Sequence, residues 1–581
     1  MRGYRKIILK LLAAGVLWFT LWLQFGNPGE LYGGIETSGY FSLLLAAMVA
    51  APVAVLFAFC GRRRWSLQTA DWLVLGFLGY IVVHSLITHN TEGREFYYTC
   101  AYSGLYLCFR MMAKIRATQY GLLVVLLAGL YQAVMVLLQL WGSELSNHHR
   151  FVVTGSFYNP GPCGIFLSAV LVLAASVVKK GRYRVAFNFW YIRYAVAYTT
   201  LIACLAAIVP TMSRAGWVGA AAGLMLLYRK EIQDAVKRVK YKTIVWIGIT
   251  GLAVILSGIY LMKKDSADGR LLIWRNGIVA CGEAPLFGSG IDCFEERYSQ
   301  AQHDYFLKRE ALTAEPENSV VAGVPTSLFN EFISLVLRLG LVGILFVLAI
   351  FRVKFSRWSV WSYTVITLLV SSFFSYPFYI PLIAIVFLFA MAHLPQGRDC
   401  RVGFRWLIPL CAVAAAVVCG RAYRSIDDYK EWKNYALFYS MKDYESVCEE
   451  YGKLWPRLKS DYRFLFEYGH SLNKMNRFDE SNEILAEGAK RSCDPMFWNI
   501  IGNNYLESGD YGNSEQAYLR AFYLCPNRHY SLYLLTKLHV RTGDVEKQEF
   551  YGRLLLRKKP KVKSAAIEEM MQETEEILKN N

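Results

Sequence analysis

The sequence is short of three things, and each shortage narrows the field. Its thirteen cysteines include no C-x-x-C pair and are scattered, several inside apolar blocks, which makes most of them small buried hydrophobes. Cys281 and Cys293 are the exception: a disulfide if their segment faces an oxidising compartment, two thiols otherwise. The second shortage is of charge. Charged residues make up 19% of the chain against 55% hydrophobic, and the apolar blocks hold almost no ionisable residue in their interiors. A pump or ion-coupled transporter is expected to carry carboxylates or histidines near mid-membrane, so that class is disfavoured. The third is of signature motifs. The glycines are not spaced as a Walker A loop. The N-terminal stretch MRGYRKIILKLLAAGVLWFTLWLQFG has a basic flank and an apolar core but no small-x-small cleavage site, as a retained first helix would.

What the chain has instead is apolar length. Blocks of about 17 to 25 residues recur, long enough to cross about 30 Å of hydrocarbon as helices. A soluble globular chain does not carry them in series. The expected fold is all-α: a polytopic bundle of about thirteen spans, followed by a helical repeat domain. The formal net charge of +18 falls largely in short loops between blocks, at Arg62 to Arg64, at Arg110, Lys114 and Arg116, and at Lys179, Lys180, Arg182 and Arg184. That clustering follows the positive-inside rule and speaks for a bilayer rather than nucleic acid. Starting inside with Arg2, Arg5 and Lys6, each early even-numbered span returns to positive charge, which puts the N-terminus in the cytoplasm. Span nine leaves the membrane at about Met262 into the one long polar interval, 263–329, and span ten returns from Asn330.

Beyond about Arg421 the hydrophobicity falls and a different period takes over. Trp498, Ile501, Gly502, Tyr505, Ser514, Tyr518, Ala521 and Pro526 stand at the relative positions of a tetratricopeptide repeat. Tyr468, Gly469, Leu472, Ser481 and Leu485 come one period earlier, and Gly543 and Pro560 one period later. The small residues let paired helices approach while the larger ones fill the seam. The expected domains are therefore 1–420 in the membrane, including the polar interval, and 421–581 as repeats on its outer side. A weaker first repeat falls at 431–460, and the tail from Ser564 reads as a charged capping helix. Such repeats bind peptides or partner proteins in a concave groove, or serve as a rigid spacer.

Four polar stretches meet on the outer face of this topology. VTGSFYNPGPCGIFL, with Gly155, Asn159, Pro160 and Gly161, suits an irregular backbone at a helix start, either an anion site or a plain tight turn. In PTMSRAGW, Arg214 stands at the mouth of a span, where a guanidinium either finds a phosphate or carboxylate or snorkels to the headgroups. In DGRLLIWRNGIVACGEAPLFGSGIDCFEERY, Arg270 and Arg275 fit a bidentate clamp on a diphosphate. In SLFNEFISLVLRLGLVGIL, Asn330 and Glu331 open a span. That carboxylate is a general base or a structural partner for Arg214 or Arg270.

In this order and topology the stretches resemble the O-antigen ligase and O-antigen polymerase superfamily, which includes bacterial protein O-oligosaccharyltransferases. The likeness covers roughly 70–395. It rests on GSFYNPGPCGIFL, on Ser213-Arg214-Ala215-Gly216-Trp217, on Gly269-Arg270 to Trp274 with Pro285 to Gly290, and on Asn330-Glu331 followed by Gly340 to Gly343. The resemblance implies a GT-C-like enzyme of the bacterial inner membrane. It would move a glycan from undecaprenyl diphosphate to a lipid or protein acceptor on the periplasmic face, with neither cofactor nor metal. By position Arg214 and Arg270 would hold the diphosphate, while Glu331 is taken as base on its own chemistry rather than on the resemblance. Asn159, Arg275, His303 and Asn330 would complete the substrate site, and the repeats would dock a protein partner. One departure stands out: ligases carry His-Asn where this chain has Phe329-Asn330. That leaves Glu331, His303 or the electrophile alone to activate the acceptor. A repeat-unit polymerase differs only in its acceptor, and a flippase or exporter is the non-enzymatic alternative.

Overall fold

The computed structural model describes residues 2–25, 31–60, 67–114, 118–181, 189–237, 264–312, 317–400, 406–561 and 564–579. Span nine and the basic residues Arg62 to Arg64, Arg116, Arg182 and Arg184 lie outside the described residues. Apart from one pair of two-residue antiparallel strands, β1 (Leu67–Gln68) and β2 (Asp399–Cys400), the described elements are helices. The chain divides into two compact units, Met1–Met262 with Phe329–Ile426, and Lys263–Leu328 with Asp427–Asn581.

The first unit contains α1 (Arg2–Trp22), α2 (Gly34–Cys60), α3 (Thr69–Ile87), α4 (Arg94–Lys114), α5 (Thr118–Leu140), α6 (Pro160–Gly181), α7 (Phe189–Ile208), α8 (Arg214–Leu227) and α9 (Arg229–Val236). It resumes with α12 (Glu331–Lys354), α13 (Val360–Ser372), α14 (Pro381–His393) and α15 (Leu407–Tyr423). In hydrocarbon only a helix satisfies its own backbone, so the apolar blocks become helices. Six described stretches are long and apolar enough to cross a membrane: Gly34–Phe59, Thr69–Ile87, Gln119–Leu140, Pro160–Gly181, Glu331–Lys354 and Leu407–Ser440. Shorter apolar helices, among them α7, α8, α13 and α14, fall on other expected spans.

Helix α6 is the hub, buried from Pro162 to Val177 and packed against α5, α7, α8 and α13. Its seam with α8 is backbone on backbone: a Cβ on Gly216 would stand 2.7 Å from the carbonyl carbon of Gly164. Ser168 Oγ donates to the carbonyls of Gly164 and Gly216 at 2.5 and 2.7 Å, stitching the two helices where they touch.

The spans are not as free of ionisable groups as their hydropathy suggests. Where α3 begins and α4 and α12 end, buried Arg110 pairs with Asp71 at 2.6 Å and donates to Gln68 at 2.7 Å. Lys354, fully buried, donates to the Tyr106 hydroxyl, the Met391 carbonyl and Gln396 at 3.0, 3.0 and 2.6 Å. Arg338 of α12 pairs with Glu95 of α4 at 3.0 Å. These groups lie within about two turns of helix ends, so a sequence window counts them as flanks although tertiary packing encloses them.

The second unit joins the polar interval to the repeats. Helices α10 (Lys264–Cys281) and α11 (Phe294–Lys308) precede α16 (Ile426–Ser440), α17 (Tyr444–Leu458), α18 (Tyr462–Lys474), α19 (Phe478–Lys490), α20 (Met496–Glu507), α21 (Tyr511–Leu524), α22 (Tyr530–Thr542), α23 (Val545–Arg557) and α24 (Ala565–Lys579). Ser481 Oγ donates to the Gly469 carbonyl and Ser514 Oγ to the Gly502 carbonyl, at 2.7 and 2.9 Å. The same bond thus recurs one repeat apart. Glu467 is buried yet satisfied, accepting from Trp432 Nε1 and the Tyr451 hydroxyl at 3.0 and 2.8 Å, which ties α16 and α17 to the first of these repeats.

The polar interval shares a core with the last repeats. Leu272, Tyr305, Phe306, Ala311 and Ala322 cluster with Tyr518, Phe522, Leu535 and Leu554. Gln302 of α11, buried, donates to the Gly323 and Leu524 carbonyls at 3.1 and 2.5 Å, and Asn527 donates to those of Val320 and Ala322 at 3.1 and 2.6 Å. The interval carrying Arg270 and Arg275 is therefore held by the repeats through a continuous apolar core. Cys281 and Cys293 take part in no disulfide.

Candidate active site

The start of α6 is fixed by two glutamines of α5. Gln139 Oε1 accepts the N–H groups of Thr154 and Gly155, both at 2.8 Å, and Gln132 Oε1 accepts that of Ser156 at 3.0 Å. Gly155 has φ +59, a left-handed turn open to glycine. Asn159 then caps α6, its Oδ1 accepting the Gly161 N–H at 2.8 Å. Of the two readings for this stretch, the tight helix-start turn describes the role its side-chain oxygen plays.

Helix α8 starts beside it. Ser213 caps α8 by accepting the Gly216 N–H at 3.3 Å, and donates to the Gly161 carbonyl at 2.9 Å, so the two starts are bonded. Arg214, half-buried, is the first residue of α8. The residue two before it, Met212, has φ +48, and such strain in a non-glycine residue concentrates at functional positions.

Helix α12 reaches the same place. Asn330 caps it, accepting the N–H groups of Phe332 and Ile333 at 3.0 and 3.1 Å. Phe329, where the resemblance leads one to expect a histidine, has φ +51 and packs its ring edge-on to Tyr376 at 5.2 Å. Glu331 Oε1 accepts the Phe378 N–H at 3.1 Å. Its nearby charges are Arg338 and Glu95, themselves paired. Two turns on, Gly340 adopts φ 62 and ψ −166 and interrupts the helix, and the Tyr80 hydroxyl donates to the neighbouring Leu339 carbonyl at 2.8 Å.

The end of α13 brings these starts together. Ser371 Oγ donates to the Ala215 carbonyl at 3.0 Å, and Phe373 stacks on Phe332 at 4.1 Å between ring centres. Arg214 and Glu331 therefore open two helices that meet the last turn of one third helix. Two helix N-termini, a guanidinium and a carboxylate at one end of a bundle can bind an anion and accept a proton.

The remaining expected residues belong to the second unit. Arg270 lies on α10 and is half-buried. Arg275 lays its guanidinium 4.3 Å from the centre of the Tyr305 ring, which Arg309 also approaches, at 4.8 Å. His303 Nδ1 bonds Asp304 at 2.9 Å while its ring meets Tyr523 of α21 edge-on. Asp304 is held below the usual carboxylate range by His303 and Gln300, against the opposing effect of burial.

Sequence reasoning passed over Gln132, Gln139, Glu95 and Arg338. The signal for the glutamines was present: two amides seven residues apart fall on one face of an apolar helix, where an unbonded amide is costly. Among the described residues, no group of three or more His, Cys, Asp or Glu side chains is placed to hold a metal ion.

No curated protein and no solved structure matches the chain. Two family models do. Residues 497–528 match a tetratricopeptide repeat, and residues 199–348, which contain Arg214, Arg270, Asn330 and Glu331, match the O-antigen ligase family.

Proposed function

We propose that the protein transfers a glycan from undecaprenyl diphosphate to an acceptor hydroxyl at the periplasmic face of a bacterial inner membrane. Its N-terminus would be cytoplasmic and its repeats periplasmic. The observation that carries this reading is the meeting of the Arg214 and Glu331 helix starts at the end of α13, both starts lying inside the segment that matches the O-antigen ligase family. A helix N-terminus offers N–H groups to an anion, and Arg214 adds a charge that persists at any working pH. Both favour the diphosphate, and both gain as negative charge grows on it while the glycosidic bond breaks. The acceptor oxygen bonds to the anomeric carbon, the carbon–oxygen bond to the diphosphate breaks, and the lipid diphosphate leaves with the bonding pair. The acceptor proton passes to Glu331.

Arg270 is assigned the second place on the diphosphate. Arg275 is assigned beside Arg270 on the diphosphate, and His303 to the acceptor. Asn159 and Asn330 commit their oxygens to helix N–H groups, leaving their amide nitrogens for a substrate. Ligase and polymerase differ in the acceptor, a lipid or protein in one and a growing glycan in the other.

The test is transfer by the full chain in proteoliposomes holding the lipid-linked oligosaccharide and candidate acceptors. Arg214→Ala and Arg270→Ala are each expected to slow release of diphosphate lipid by about 100-fold or more. Glu331→Gln should spare donor binding while slowing transfer. Donor lipid that changes leaflet at the same rate in wild type and Arg270→Ala, with no glycan transferred, would make the protein a transporter.

A further inference from the structure

Helix α10 has two opposed faces. Leu272, Asn276 and Ala280 recur every fourth residue and are buried, with Leu272 in the core shared with α21, α22 and α23. The opposite face carries Leu271, Ile278 and Val279, which are 56%, 60% and 61% exposed. The turn after the helix adds Leu286 and Phe287, each 58% exposed. Single exposed apolar residues need no explanation, but five of them on one helix and the turn that follows it do.

Two observations identify what covers that flank. The sequence just before α10, IVWIGITGLAVILSGIYLM, is apolar and long enough to cross a bilayer. A helix that directly follows such a stretch in the sequence is expected to start close to a bilayer surface. The second is charge: Lys263, Lys264, Arg270 and Arg275 outnumber Asp265 and Asp268 over the first turns. A net positive charge beside an apolar flank suits an anionic lipid surface.

We propose that the flank formed by Leu271, Ile278, Val279, Leu286 and Phe287 lies in the outer interfacial layer of the bilayer, among phospholipid headgroups and upper acyl chains. The apolar side chains sit below the phosphates, and the flexible stem of exposed Lys264 lets its ammonium group rise to phosphate level. The repeats, through Leu272 and Gln302, then hold this helix at the water boundary rather than above it. None of this depends on the transfer chemistry.

The test uses the full-length chain in nanodiscs of phosphatidylethanolamine and phosphatidylglycerol, with p-benzoylphenylalanine introduced singly at Ile278 and Phe287. Glu296, exposed on α11, serves as the aqueous control, and Leu345, 64% exposed on the membrane helix α12, as the lipid control. Photolysis is expected to give phospholipid adducts, read by mass spectrometry, at Ile278, Phe287 and Leu345 and none at Glu296. Peptide adducts at Ile278 and Phe287 would overturn the proposal, because the flank is then covered by protein. Absence of any adduct there while Leu345 reacts would overturn it too, because the flank then faces water. Monodisperse gel filtration of each variant guards against a misfolded sample being read as either result.

Discussion

Each unit uses glycine to bring helices together, and what the glycine faces differs. Gly216 lies against the backbone of Gly164, whereas a Cβ on Gly502 would meet the ring of Tyr518 at 2.4 Å. In lipid no apolar surface leaves water when two helices associate, so α6 and α8 gain from close backbone packing and from the Ser168 bonds across the seam. In water the repeat gains by burying a large ring, and the glycine makes room for it. Charges divide in the same way. Arg110 and Asp71 pair while buried, whereas Arg541 and Glu507, at 2.9 Å, are each about half exposed.

The sharpest way to break this comparison is through the buried pair. Asp71→Ala leaves the Arg110 guanidinium enclosed with only Gln68 among its described partners. It is expected to cost about 3 to 5 kcal/mol, read as a lowered melting temperature in detergent. The glycine seams come next. Gly216→Val drives a side chain into fixed backbone and is expected to cost about 3 kcal/mol. Gly502→Val, pressing on a ring that can turn, should cost nearer 1 kcal/mol. Equal losses at the two sites would remove the distinction drawn between them.

A smaller effect concerns pH and belongs to the repeats. Burial pushes the His470 imidazole down to about 4 and lowers His529 as well. The unfolded chain takes up these protons first, at the ordinary histidine value near 6.5. Stability is therefore full above pH 6.5 and falls as pH drops towards about 4, the His470 contribution being lost entirely by then. Hydrogen-exchange protection in α18 and α22 of the full chain, corrected for the intrinsic rate at each pH, should fall between pH 7 and pH 5. His470→Gln, which cannot titrate, should flatten the response in α18. The smallest effect is expected at the exposed pair: Glu507→Ala should change stability by about 1 kcal/mol at most and less in high salt.

Much of the architecture was legible in the sequence because period and length are local properties. Among the described residues the apolar blocks became helices, the residues spaced from Trp498 to Pro526 became a repeat, and Asn330 sits at the N-cap of α12. The starts of α6 and α12 were marked by Asn159 and Asn330, whose side chains bond their own helices within three residues.

Contacts made at long range were not legible. That Ser371 meets Ala215, that Arg338 pairs with Glu95 and that Lys354 is enclosed by Tyr106, Met391 and Gln396 depend on which helices become neighbours. Nor does any spacing reveal that the polar interval after the ninth apolar block shares its core with repeats more than two hundred residues on. Sequence by itself determined the helices and which of them are apolar enough to cross a membrane, because hydropathy and capping act over a few residues. Only the tertiary structure decided which helix starts face one another and which charges are enclosed, because packing joins residues the chain keeps far apart.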